Sequence, residues 1–131
     1  MQVRKVLNFE DSIPKHVDVK RALERCGIPV IDHAMSAMAG LAMIDTAIEE
    51  GKPYDLIVSD MYFPKFPGDG ESRSGEYVID ELQARGIDIP VIVCSSARLV
   101  LEDVVGCIHY NPYRNDLDAD MRELVDMIRN K

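Results

Sequence analysis

Three short apolar runs, residues 3–9, 56–59 and 89–94, show neither a helical stripe nor a polar–apolar alternation. A short continuous run of this kind is consistent with burial on both faces, and the β-branched content and flanking turn residues favour strands. Residues 28–31 and 107–110 read as two further strands. The segments between carry helical stripes. Val19, Ala22, Leu23 and Cys26 share one face before Gly27, and Ala37, Leu41, Ile44 and Ile48 share another before Gly51 and Pro53. Val78, Ile79 and Leu82 mark a third helix ending near Gly86, and Leu117, Met121, Leu124, Val125 and Ile128 a C-terminal one. Residues 99–105 read as a short apolar helix, and residues 61–74, with Pro64, Pro67, Gly68 and Gly70, as a long polar connection.

Strands buried on both faces and alternating with helices imply a parallel sheet covered on each side. Right-handed crossovers leave few topologies. The expected fold is therefore α/β, a three-layer doubly wound five-stranded parallel sheet in the flavodoxin-like order 2-1-3-4-5, a single domain over residues 1–131. In that order the first and third strands are neighbours at the topological switch point. Glu10-Asp11 follows the first and Asp60 the third, so these carboxylates are expected to meet at the carboxyl edge of the sheet, where open α/β folds bind ligands. Carboxylates converging there repel one another unless a cation or a proton holds them. Taken singly, such acids also serve as helix caps or solvated turns.

Composition removes several function classes. The net charge of −8, from 15 Lys+Arg against 23 Asp+Glu, argues against nonspecific nucleic-acid binding, which needs a basic face. Cys26, Cys94 and Cys107 are dispersed, without a C-x-x-C pair, as expected of reduced thiols in a cytoplasmic protein. His16, His33 and His109 have no mutual spacing suited to zinc. No signal peptide and no apolar run of about 18 residues is found, so no membrane partner is expected. The phosphate loop and the dinucleotide fingerprint are absent, and Tyr62 stands where a dehalogenase-type phosphatase needs an aspartate.

Four landmarks in order, Glu10-Asp11, Asp60, Ser95 and the Asn111-Pro112-Tyr113 turn, each follow a predicted strand. In this the chain resembles the receiver domain of two-component response regulators, over nearly its whole length. The resemblance implies a single-domain receiver, without an output domain in these residues, that accepts a phosphoryl group on Asp60 and signals by protein contact. Asp60 would attack the donor as a carboxylate nucleophile. A Mg2+ (or Mn2+) ion would be held by Asp11, Asp60 and the Tyr62 backbone carbonyl, with Glu10 acting through water. The Ser95 hydroxyl would hydrogen-bond the phosphoryl group; alone, it reads equally as a loop hydroxyl satisfying backbone groups. Implied partners are a sensor histidine kinase or phosphotransfer protein and an unidentified downstream protein. The chain would not be an enzyme beyond its own phosphorylation and dephosphorylation.

Three departures qualify the resemblance. Asn111 replaces the usual lysine, and phosphoryl transfer depends on cationic neutralisation of the equatorial oxygens. The connection after Asp60 is extended by about seven residues, with Gly75 as the helix-opening glycine. It is read either as a lid or as a mobile surface insertion. Lys65, Arg73 and Arg98 are its nearby cations, and one of them is expected to supply the missing charge. Third, the segment from Ser95 to Asn111 is shorter than usual, so the fourth helix is expected to be truncated, and Ile108 replaces the usual aromatic switch residue, with Tyr110 the nearby ring. Tyr62 and Ala97, two residues beyond the acceptor and the hydroxyl, flank the expected route of hydrolytic water. The alternative function is a degenerate receiver that acts as a protein-interaction module without phosphorylation.

Overall fold

The computed structural model describes residues 1–114 and 116–131. Its elements in chain order are β1 (Lys5–Phe9), α1 (Ile13–Arg25), β2 (Val30–Ala34), α2 (Ala37–Glu49), β3 (Leu56–Ser59), β4 (Phe63–Pro64), β5 (Glu71–Ser72), α3 (Ser74–Ala84), β6 (Val91–Ser95), β7 (Gly106–His109) and α4 (Leu117–Arg129). Five strands form one parallel sheet in the order β2-β1-β3-β6-β7. With the short β4–β5 pair set aside, this is the expected doubly wound order.

Strand alternation sorts the core into two layers. Val6, Leu56, Val58, Ile92 and Cys94 face α1 and α4, where they meet Val19, Leu23, Met121 and Val125. Leu7, Phe9, Ile57, Val91 and Val93 face α2 and α3, where they meet Leu41, Ile44, Val78 and Leu82. Glu10 and Asp60 continue the alternation of Val6 and of Leu56 and Val58. They therefore come out on the α1 side of the sheet edge, which decides what covers them.

α1 starts at its N-cap Ser12, whose hydroxyl accepts from the Lys15 amide at 3.4 Å, and Pro14 suits the first turn. It stops before Gly27, whose φ of 80° lies in the left-handed region. α2 is likewise capped by Ser36, which accepts from the Ala39 amide. Its buried stripe is Ala37, Gly40, Leu41, Ile44 and Ala47, while Ile48, expected in that stripe, is exposed. β2 also runs later than residues 28–31.

Two larger expectations are corrected. Residues 99–105 form no helix. Ten residues, 96–105, separate β6 from β7, and β7 begins beside Ile92, well back along β6. A returning crossover this short leaves no room for a helix with its entry and exit turns. The segment is irregular instead, with bends at 96–97 and 102–105: Leu99 and Leu101 are half-buried against the α2–α3 core layer, and Val100 between them is 96% exposed.

The 61–74 connection is no loose surface insertion. Its ends pair as the antiparallel β4–β5 ribbon. Phe63 is fully buried, its ring 5.9 Å from that of Phe9. The buried Ser74 hydroxyl donates to the Phe63 carbonyl at 2.5 Å, and the Lys65 carbonyl accepts from the Met38 amide at 2.9 Å. Gly75 then packs directly on the backbone of Asp60 and Met61, its amide donating to the Met61 carbonyl at 3.0 Å.

Candidate functional site

The carboxyl ends of β1 and β3 lie side by side, Phe9 opposite Ser59, and the Asp60 amide donates to the Phe9 carbonyl at 3.0 Å. This register brings one carboxylate oxygen each of Glu10, Asp11 and Asp60 within 4.8 Å of one another. Glu10 is fully buried, while Asp11 and Asp60 are half-buried. The Glu10 carboxylate accepts from the Ser12 amide at 3.2 Å and its carbonyl contacts His33 Nε2 at 2.6 Å, so its backbone and side chain are both fixed.

A fourth group, not anticipated from the sequence, completes the cluster. Lys15 Nζ lies 3.0 Å from Glu10 Oε1 and 3.3 Å from Asp60 Oδ1, and donates to the Cys94 carbonyl at 2.8 Å. Its three protons thus have three acceptors. The Tyr110 ring stands 5.2 Å from the ammonium, and its hydroxyl donates to Asp18 of α1 at 2.6 Å. Lys15 is 6% exposed. It stands at the head of the stripe that continues through Val19, Ala22 and Cys26, the face that packs on the sheet. A lysine in the first turn of a helix opposes the macrodipole, and burial opposes its charge again. A first turn with no acid, and a lysine in register with a buried stripe, were the signals available in the sequence.

Burial is the main influence on both members of the buried pair. It pushes the Glu10 carboxyl up to about 7, and the charge of Asp60 adds to the rise against the pull of Lys15. Burial also works against the charge on Lys15, but Glu10, Cys94 and Asp60 outweigh it and raise its value, so the ammonium stays charged. One ammonium among three carboxylates leaves the site short of positive charge. The three hard oxygen donors suit a divalent ion such as Mg2+ or Mn2+, which would relieve that shortage.

Asp60 Oδ1 has two partners, Lys15 and the Met61 amide at 2.7 Å. Among the described contacts Oδ2 has none. Ser95 ends the adjoining strand, buried, and its Oγ accepts from the Ala97 amide at 3.2 Å. Among the described contacts its own proton has no acceptor. Tyr62 lies two residues past Asp60, its hydroxyl accepting from Arg73 at 2.9 Å.

Asn111 is not drawn into this cluster by any described contact. Its Oδ1 accepts from the Tyr113 amide at 2.9 Å, an Asx turn, and Tyr113 is 95% exposed. Two of the three loop cations are committed elsewhere. Lys65 Nζ sits 4.2 Å above the Tyr77 ring, and Arg73 pairs with Glu76 at 2.7 Å. Arg98 lines a surface cleft with Ser95, Ala97 and His109 and makes no ion pair among the described residues. No described contact joins any of these three to Asp60; the described cation there is Lys15, carried to it by the packing of α1.

No protein-family model matches the chain, and no curated protein matches it in sequence. Solved structures do match it in fold. One is a phosphorylated cyanobacterial phytochrome response regulator, RcpA, at TM-score 0.73 and 19% identity over 98% of this chain and 95% of that one. Another is a CheY-like response regulator receiver domain from Methylobacillus flagellatus, at TM-score 0.73 and 20% identity over 97% and 99%. A third is the Mn2+-bound form of the response regulator Rcp1, at TM-score 0.68 and 19% identity over 92% and 91%. At these identities the likeness is one of fold, and the fold is that of response regulator receiver domains. No helix among the described residues is long and apolar enough to cross a membrane.

Proposed function

We propose that this chain is a receiver that accepts a phosphoryl group on Asp60 and signals by protein contact. The supporting observation is the convergence of Glu10, Asp11 and Asp60 within 4.8 Å at the switch point of a receiver fold. A Mg2+ or Mn2+ ion would be held by Asp11 and Asp60, with the Tyr62 carbonyl and, through water, Glu10. When bound, such an ion offsets repulsion between these carboxylates and an incoming phosphoryl dianion.

Asp60 Oδ2 attacks the phosphorus of a phosphohistidine or a small acyl phosphate. The new O–P bond forms as the donor's P–N or P–O bond breaks, and the electron pair leaves with imidazole or with acetate. Ser95 donates its free proton to a phosphoryl oxygen. Tyr62, held by Arg73, stands over the approach of water and lengthens the life of the acyl phosphate. The phosphoryl source is a sensor histidine kinase or a phosphotransfer protein, and the receiver's catalysis is confined to its own phosphorylation and dephosphorylation.

The intact mass is expected to increase by one phosphoryl group with acetyl phosphate and Mg2+, and not at all in Asp60→Asn. A wild-type mass unchanged by acetyl phosphate and by phosphoramidate would refute the proposal. It would leave the second reading, an interaction module that works unphosphorylated, which the self-bonded Asn111 turn favours.

A further inference from the structure

The geometry points to Lys15 as the cation that meets the phosphoryl group on Asp60, supplied from the first turn of α1. The inference rests on the reading of Asp60 as phosphoacceptor, and concerns which residue balances the charge once that group arrives.

The ammonium is already at the acceptor, 3.3 Å from Asp60 Oδ1, and two further bonds fix it there, to Glu10 Oε1 at 3.0 Å and to the Cys94 carbonyl at 2.8 Å. When Oδ2 takes the phosphoryl group, the carboxylate loses its charge and the phosphoryl oxygens gain it. The proton of Lys15 that faces Asp60 then follows the charge to a phosphoryl oxygen, while the other two bonds hold the nitrogen in place. A donor positioned beforehand in a buried site stabilises developing charge without reorganisation.

A purely structural role accounts poorly for this residue. A buried ion pair is often no more stabilising than well-packed apolar side chains of the same size, and this one also opposes the helix dipole. Lys65 and Arg73 are engaged elsewhere, no described contact joins Arg98 to Asp60, and Asn111 brings no charge. The Tyr110 ring beside the ammonium, bonded to Asp18, ties any shift of Lys15 to α1 itself.

The test compares Lys15→Met with the wild type at saturating Mg2+. Lys15→Met is expected to bind Mg2+ more tightly, having lost a competing cation, yet to take up phosphate from acetyl phosphate about a hundredfold more slowly. A Lys15 that merely balances the carboxylates predicts tighter Mg2+ with undiminished uptake, and that result overturns the inference. Removing one partner of a buried pair can unfold a protein, so the wild type carries a second measurement. With Mg2+ and beryllofluoride, the bound fluorine NMR signal and the Lys15 ε-methylene resonance of isotope-labelled protein are read together. The lysine resonance is expected to shift beyond its position with Mg2+ alone. A bound fluorine signal with an unmoved lysine overturns the role of Lys15 and leaves Asp60 as phosphoacceptor. No bound fluorine signal overturns both.

Discussion

Replacing Gly75 with alanine tests how the remodelled 61–74 segment holds the acceptor. A Cβ at Gly75 would lie 2.9 Å from Met61 Cα and 3.2 Å from the Asp60 carbonyl carbon, and closer still to the Asp60 carbonyl oxygen. All three are backbone atoms, so no side chain can swing aside. The start of α3 and the Asp60–Met61 peptide must separate, which stretches the 3.0 Å bond from the Gly75 amide to the Met61 carbonyl. Overpacking of this kind costs about 1–3 kcal/mol, and the weakened hydrogen bond about 1 kcal/mol more. The better helix propensity of alanine returns about 1 kcal/mol. The net loss is about 2 kcal/mol, or roughly 6–8 °C in Tm for a chain of this size. Gly70→Ala is the matched control in the same segment: nothing lies within 4 Å of its Cβ and its φ is not positive. Urea titrations of both variants, with Mn2+ affinity measured alongside, decide the matter. Gly75→Ala should lose stability and bind Mn2+ more weakly because Asp60 is displaced, whereas Gly70→Ala should stay within about 0.5 kcal/mol of the wild type. A Gly75→Ala protein as stable as Gly70→Ala, with Mn2+ affinity unchanged, refutes the reasoning.

Divalent metal should stabilise the fold by about 2.7 kcal/mol at a concentration 100 times its Kd, with the gain lost in Asp11→Asn; thermal melts in Mg2+ and in EDTA measure it. Burial pushes His16 down to about 4, aided by the stacked His33 and by Lys20, so the folded state holds the ring neutral. The contribution of His16 should therefore be steady above pH 6.5 and turn destabilising as the pH drops from 6.5 towards about 4, because the unfolded chain takes up the proton first, while Glu10, held up to about 7, works in the opposite sense over much the same range. Denaturant titrations across that range should show the wild type losing stability relative to His16→Asn as the pH falls, which isolates the His16 contribution from that of Glu10. Ser74→Ala leaves the Phe63 carbonyl without its hydroxyl donor, at a cost of about 1–3 kcal/mol. Hydrogen exchange should then show faster opening of the β4–β5 ribbon than of the main sheet.

Much of the fold was legible because it rests on local rules. Unbroken apolar runs gave the strands, helical stripes with Gly27, Gly51 and Gly86 behind them gave the helices, and right-handed crossovers gave the strand order. The errors fell where local pattern and chain geometry disagree. Residues 99–105 are apolar enough for a helix, but a ten-residue crossover that returns to the level of Ile92 leaves no room for one with its entry and exit turns. The 61–74 segment is rich in Pro and Gly, yet Phe63 and Ser74 anchor it through contacts distant in sequence.

The candidate site divides in the same way. Strand alternation and strand order are enough to bring Glu10, Asp11 and Asp60 together, so the sequence by itself determined the acidic half. The cation opposite them depends on which helix covers that face of the sheet edge and on the rotation of its first turn. The register of Lys15 with the stripe of Val19, Ala22 and Cys26 hints at burial, but it does not say which groups would meet the ammonium. Only the tertiary packing of α1 over β1 and β3 takes its ammonium out of water and leaves two carboxylates and a carbonyl as its partners. A buried charge is tolerated only where the folded chain supplies such partners, and long-range packing is what supplies them here.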